Sequence, residues 1–164
     1  RAISEYQQAI NLDSKYILPR INLGKIFDSN GLYDRALNLL LEAYRIEPGS
    51  IPVNNNLGNV YLHLKLYQDA IKHYEKAIEG MPDSTLLRYN LSLAYIETGK
   101  NDLAKDALLK LIRLDPSYWD AYFKLGKLLF AEGDKEGAKA IFRSLLERNP
   151  NYKEREEIQR LLNS

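Results

Sequence analysis

Apolar residues recur along this chain at helical spacing, and the pattern stops and restarts at regular intervals. Over about Leu18–Ser29, Leu23, Ile26 and Phe27 fall on one face. Over about Tyr33–Ile46, a second face carries Ala36, Leu37, Leu40, Ala43 and Tyr44. Asn30-Gly31 interrupts the two stretches, and Glu47-Pro48-Gly49 ends the second, since proline cannot continue a helix. The same pair then returns with a period of 34 residues. Leu57 aligns with Leu23, Leu91 and Leu125, and Gly58 with Gly24, Ser92 and Gly126. Ala70 aligns with Ala2, Ala36, Ala104 and Ala138, and Pro82 with Pro48, Pro116 and Pro150. A fixed period of this length predicts a stacked array in which each unit contacts its neighbours, with no single central core.

The period divides the chain into a half unit at 1–16, full units at 17–50, 51–84, 85–118 and 119–152, and a last half unit at 153–164. In the first half unit Ala2, Tyr6 and Ala9 keep register with Ala70, Tyr74 and Ala77, so it reads as a second helix without its first. In the last, Ile158, Leu161 and Leu162 form one apolar stripe opposite Glu154, Arg155, Glu156, Glu157 and Arg160, the pattern of a terminal cap. Several positions depart from the plan. Ser14 replaces a proline, Lys65 a turn glycine, Ser92 a mid-helix glycine and Gly80 an apolar residue. A mid-helix glycine costs about 1 kcal/mol against alanine, so its recurrence needs a packing reason. The expected reason is that Gly58 and Ala70, with their equivalents, are small residues facing each other across each hairpin.

Composition narrows the function. Hydrophobic residues are 45 % and charged residues 27 %, which suits a folded chain. The net charge of +1, with interspersed signs, offers no long-range field for nucleic acid or an anionic membrane. No apolar run approaches a membrane span, so no direct membrane insertion is expected. With no cysteine, thiolate chemistry and disulfides are excluded. That suits a cytoplasmic or an envelope (periplasmic) setting equally. The chain begins at Arg1 and reads as a fragment of a longer protein. His63 and His73, the only histidines, lack a metal-ligand spacing and read as surface or groove-edge residues. Gly24-Lys25, Gly99-Lys100 and Gly126-Lys127 lack the rest of a phosphate loop. No Ser/His/Asp arrangement stands out, and neither an enzyme, a cofactor nor a metal site is expected.

The leucine-glycine pair, the aromatic three residues on, and the later alanines and proline resemble the tetratricopeptide repeat family over practically the whole chain. One departure is the tryptophan typical of each unit's fourth position, replaced by Arg20, Asn54, Arg88 and Tyr122. The resemblance implies an all-α fold, a right-handed α-solenoid of antiparallel helix pairs with a C-terminal capping helix. It also implies a concave groove, lined by the first helix of each pair, that holds a peptide or a partner helix. Positions so implied include Leu18, Ile21, Asn22 and Lys25, then Pro52, Asn55, Asn56, Asn59, Leu62 and His63. They continue with Leu86, Tyr89, Asn90, Leu93 and Ile96, and with Asp120, Phe123, Lys124, Lys127 and Phe130.

Within that set, Asn22, Asn56 and Asn90 recur at one offset and predict a ladder of amides suited to the backbone of an extended peptide. Leu62, Leu86, Tyr89, Leu93, Ile96 and Phe123 supply apolar anchors. Asn59, Asn90 and Lys124 match part of the carboxylate clamp that some members use to grip a partner's C-terminus. Asn55 and Asp120 stand where its lysines belong, and an acid at Asp120 would repel a carboxylate. The reading is a protein–protein interaction module, a scaffold or adaptor. The alternatives are a substrate-positioning or regulatory domain of a larger enzyme, and a self-assembly module associating through its open N-terminal end.

Overall fold

The 34-residue period becomes a succession of helices in the computed structural model, which describes residues 2–164. Among these residues there are ten helices and no strand. They are α1 (Ala2–Leu12), α2 (Ile17–Ser29), α3 (Tyr33–Ile46), α4 (Ile51–His63), α5 (Tyr67–Gly80), α6 (Thr85–Glu97), α7 (Asn101–Leu114), α8 (Trp119–Ala131), α9 (Lys135–Arg148) and α10 (Arg155–Leu162). The described residues form two compact units, one reaching to Ala94 and one from Tyr95 to Ser164. In the first, α1 packs on α2, α2 on α3, α3 on α4 and α4 on α5, with α2 also against α4. Leu23, Phe27, Leu40, Val53, Leu57 and Val60 form its core. In the second, α7 packs on α8, α8 on α9 and α9 on α10. There Ile158 of α10 is fully buried with Phe142 and Leu145, and Leu161 and Leu162 lie against the same cluster.

The turn inside each helix pair follows one geometry. Gly31, Gly99 and Gly133 adopt φ of 73°, 69° and 88°, and Lys65 adopts φ of 61° at the same point of the period. In each, the next residue's N–H reaches back five residues: Leu32 to Phe27 O at 2.8 Å, Leu66 to Tyr61 O at 2.8 Å, Lys100 to Tyr95 O at 2.9 Å. This is the Schellman arrangement, which satisfies helix-end carbonyls and requires a left-handed residue. Lys65 therefore holds a conformation that costs a side-chain-bearing residue about 1–2 kcal/mol.

The mid-helix glycines prove to be sockets for large side chains, which corrects the expectation of small residue against small residue. A Cβ built on Gly58 would lie 2.5–2.9 Å from the ring of Tyr74, so the ring occupies the space a side chain would need. At Gly126 the ring of Phe142 does the same. Leu40 faces Gly24, where a Cβ would sit 3.0–3.5 Å away. Each inserted side chain lies four residues beyond the alanine expected there, one helical turn along α3, α5 or α9. Ala36, Ala70 and Ala138 are fully buried beside them. Leu111 and Leu145, which stand where the first two units have Ala43 and Ala77, are also fully buried.

The position that departs from the family's tryptophan ties each first helix to the loop before it. Asn54 donates to Pro48 O at 2.9 Å, Arg88 to Pro82 O, and the Tyr122 hydroxyl to Pro116 O at 3.2 Å. Arg20, whose preceding loop has Ser14 in place of proline, instead donates to Tyr16 O at 3.4 Å and Glu42 Oε2 at 3.1 Å. Three side-chain chemistries thus satisfy one carbonyl of the loop between helices.

Gly58→Ala gains helix propensity but overpacks the Tyr74 ring, and should lose roughly 1–2 kcal/mol net. Gly24→Ala, against the flexible end of Leu40, should stay within about 1 kcal/mol of the parent. Equal losses in chemical denaturation would contradict the socket. Lys65→Gly removes the left-handed strain and should raise stability by up to about 1 kcal/mol, the flexibility of glycine offsetting the rest. A lower melting temperature in that variant would exclude strain at the turn.

Candidate functional site

Helical spacing sets the groove of the first unit. On α2, Leu18, Ile21, Asn22 and Lys25 fall on one stripe, and on α4, Pro52, Asn55, Asn56 and Asn59 repeat it. With Ile51, Met81, Ser84, Leu86 and Leu87, these side chains enclose a groove of about 570 Å³. Five expected residues thus come together there: Asn22, Asn55, Asn56, Asn59 and Leu86. Leu18 and Leu86 are 48 % and 54 % exposed and Met81 is 50 % exposed, so three apolar side chains open onto one concavity. Lys25 is the one charged side chain in the lining, and no carboxylate lines the groove.

The amides are organised by one another and by α5. The Tyr74 hydroxyl passes the Gly58 socket and donates to Asn59 Oδ1 at 2.8 Å. Asn90 Nδ2 donates to the same oxygen at 3.1 Å. The Tyr74 phenol is held neutral, its pKa raised first by burial and then by the Asp28 carboxylate. Asn56 Nδ2 donates to Pro52 O at 2.7 Å, one turn back on its own helix. Two rungs of the expected ladder therefore spend an N–H internally, keeping a second N–H and a carbonyl. Asn55 Oδ1 is buried without a hydrogen-bond partner. An unmet acceptor of this kind costs about 1–3 kcal/mol.

Leu62, Tyr89 and Leu93 are half-buried in the first unit, as is Ile96 in the second. Phe123 corrects the sequence expectation of an open anchor. It is 8 % exposed, with its ring centroid 5.7 Å from Tyr152 and 6.3 Å from Phe142, so its surface is spent on packing. Lys124 is half-buried on α8. Sequence reasoning missed Met81 and Ser84, which wall the groove from the loop before α6. A lone methionine among polar loop residues was the available signal.

The histidines separate. His63 is at the surface, its Nδ1 2.7 Å from Asp28 Oδ1 and its ring beside Tyr33. His73, expected at the surface or groove edge, is 7 % exposed and belongs to the core. Its ring stacks on Tyr61 at 5.4 Å and meets Tyr44 edge-on at 5.2 Å. Its Nδ1 lies 2.8 Å from Asn54 Oδ1. Because Asn54 Nδ2 donates to Pro48 O and Ser50 O, its oxygen accepts, and His73 Nδ1 carries the proton. Burial, then the Lys72 charge, lower the His73 pKa, and Asp69 opposes them weakly.

Two profiles of the tetratricopeptide repeat family match the chain, at residues 89–153 and 52–79, together more than half of its length. The chain belongs to the tetratricopeptide repeat family. Among curated relatives, a small glutamine-rich tetratricopeptide repeat-containing protein 2 of Mycosarcoma maydis is 33 % identical over 94 residues, covering 57 % of this chain and 27 % of that protein. The chain spans between about a fifth and about a quarter of the length of such relatives. Among solved structures, MamA superposes with a TM-score of 0.86 at 25 % identity, over 91 % of this chain and 87 % of that one. YrrB, described as a TPR protein with an unusual peptide-binding site, superposes with a TM-score of 0.79 at 24 % identity, over 90 % and 76 %.

Among the described residues, no group of three or more His, Cys, Asp or Glu side chains could hold a metal ion. No helix there is long and apolar enough to cross a membrane. Protonation of His73 gives a testable pH dependence. Its folded pKa lies below the ordinary 6.5, so both states are neutral well above that value. As pH falls through 6.5 the unfolded chain takes up the proton first, and stability declines until the folded pKa is passed. His73→Gln, which retains an N–H for Asn54, should flatten the loss in melting temperature between about pH 7 and 5.5. An unchanged slope would place the titrating group elsewhere.

Proposed function

We propose that this chain is a protein–protein interaction module, and that the groove over residues 18–87 holds an extended peptide or a partner helix. One observation carries the reading. Side chains from α2, α4 and the start of α6 bring exposed leucines and a row of amides onto one concavity. Asn22 and the remaining N–H groups of Asn56 and Asn90 would meet backbone carbonyls of the bound segment. Asn55 Oδ1 would gain the donor it lacks by swinging toward the opening. Such bonds contribute about 0.5–1.5 kcal/mol each, whereas micromolar binding needs about 8 kcal/mol. Apolar contact with Leu18, Met81 and Leu86 must supply most of the remainder, at about 25 cal/mol per Å² buried. With Lys25 as its one charge, the lining favours a neutral, apolar segment. The tetratricopeptide neighbour with a peptide-binding site supports the class of ligand.

Selection from a random peptide library on the chain should return sequences with apolar anchors. Leu86→Glu should weaken the selected peptides at least about tenfold, a buried charge costing more than 1.4 kcal/mol. Asn22→Ala with Asn56→Ala should weaken them severalfold, and Ile46→Glu, outside the groove, should not. Peptides that bind the Leu86→Glu chain unchanged would place recognition elsewhere.

A further inference from the structure

In the second unit, the loop after α7 and the loop after α9 meet at a notch of about 420 Å³. Tyr118, Trp119, Asp120, Tyr152 and Lys153 line it. The Tyr152 hydroxyl donates to Asp120 Oδ1 at 2.5 Å, which fixes the carboxylate. Lys153 Nζ stands 3.2 Å from the same oxygen and 5.9 Å from the centroid of the Tyr152 ring. An ammonium thus already rests between a carboxylate and an aromatic face. Lys153 is 65 % exposed and Asp120 41 % exposed, so this pair is wet and weakly held.

Asp120 stays ionised at neutral pH: burial raises its pKa, but hydrogen bonds from Tyr152 and Lys153 and the charges of Lys153 and Lys124 outweigh it. The Asp115 and Glu154 carboxylates also act on the tyrosines here. Among the residues that line the notch, Asp120 is the one carboxylate and Lys153 the one ammonium, so an incoming cation that displaces Lys153 takes over its counter-ion. Trp119, half-buried and 5.9 Å from Tyr122, adds an indole face. Indole and phenol faces attract cations electrostatically, and a carboxylate beside them supplies the counter-ion.

We propose that this notch binds an organic cation, the guanidinium or ammonium of a partner's arginine or lysine side chain. Asp120 is its counter-ion, Trp119, Tyr118 and Tyr152 are its aromatic walls, and Lys153 is a resident stand-in that the ligand displaces. The site lies within residues 117–153 and does not depend on the groove reading.

Trp119 is the single tryptophan of the chain, so its fluorescence reports on this notch alone. The test titrates the whole chain with Nα-acetyl-arginine methylamide, its lysine counterpart, and the citrulline analogue, which keeps the shape of arginine without its charge. A saturable change is expected with arginine or lysine and not with citrulline, and the tighter of the two identifies the source. Lys153→Ala should tighten binding severalfold by removing the competing ammonium. Asp120→Asn should weaken it about tenfold or more, with helicity checked by circular dichroism. Citrulline binding as well as arginine, or a Lys153→Ala chain that binds no cation, overturns the proposal. Those two results stand even if Asp120→Asn fails to fold.

Discussion

The ring of Tyr74 lies where a side chain at position 58 would have to be, and much of the first unit depends on that exclusion. Glycine is required there because any Cβ would meet the ring within 2.5–2.9 Å. The close approach lets a phenol rooted in α5 send its hydroxyl through to the face of α4. There it fixes Asn59, which in turn accepts from Asn90 of α6. One packing constraint therefore connects fold to groove: the residue that fills the hairpin also sets the orientation of its amides. Phe142 in the Gly126 socket repeats the packing without the hydroxyl, and Leu40 in the Gly24 socket is a looser version.

The loop carbonyls show a second economy. Asparagine, arginine and tyrosine at one offset all donate to the carbonyl of the preceding proline. What Asn54, Arg88 and Tyr122 share at this offset is a donor that reaches the loop, not a particular ring. At Asn54 the same side chain also orients His73, linking the loop, the first helix and the second.

Much of the fold was legible because the period superimposes independent signals: helix stripe, turn glycine and closing proline. Residues 33–46, expected as a helix from those signals, are α3 without adjustment. Lys65 was legible as an exception, and its positive φ shows what the glycines at that point are for. What pattern could not show was which side chain enters which gap. Periodicity aligns the glycines with one another and the alanines with one another, but the side chain that fills the Gly58 gap is Tyr74, one turn beyond Ala70. The burial of His73 was hidden for a related reason, since its partners come from α3 of the preceding hairpin as well as from α4 of its own. In the groove, Asn22, Asn55, Asn56, Asn59 and Leu86 could be placed from the family resemblance, which assigns the groove to the first helix of each pair. The Met81 wall comes from a loop, where helical spacing carries no information.

The socket can be tested by a double-mutant cycle in chemical denaturation, combining Gly58→Ala with Tyr74→Leu. The account predicts strong coupling: alanine at 58 destabilises against tyrosine, and becomes neutral or favourable once leucine leaves room for it, as Leu40 does beside Gly24. Additive losses, with alanine costing the same in both backgrounds, would contradict the claim that the Tyr74 ring is what makes glycine necessary.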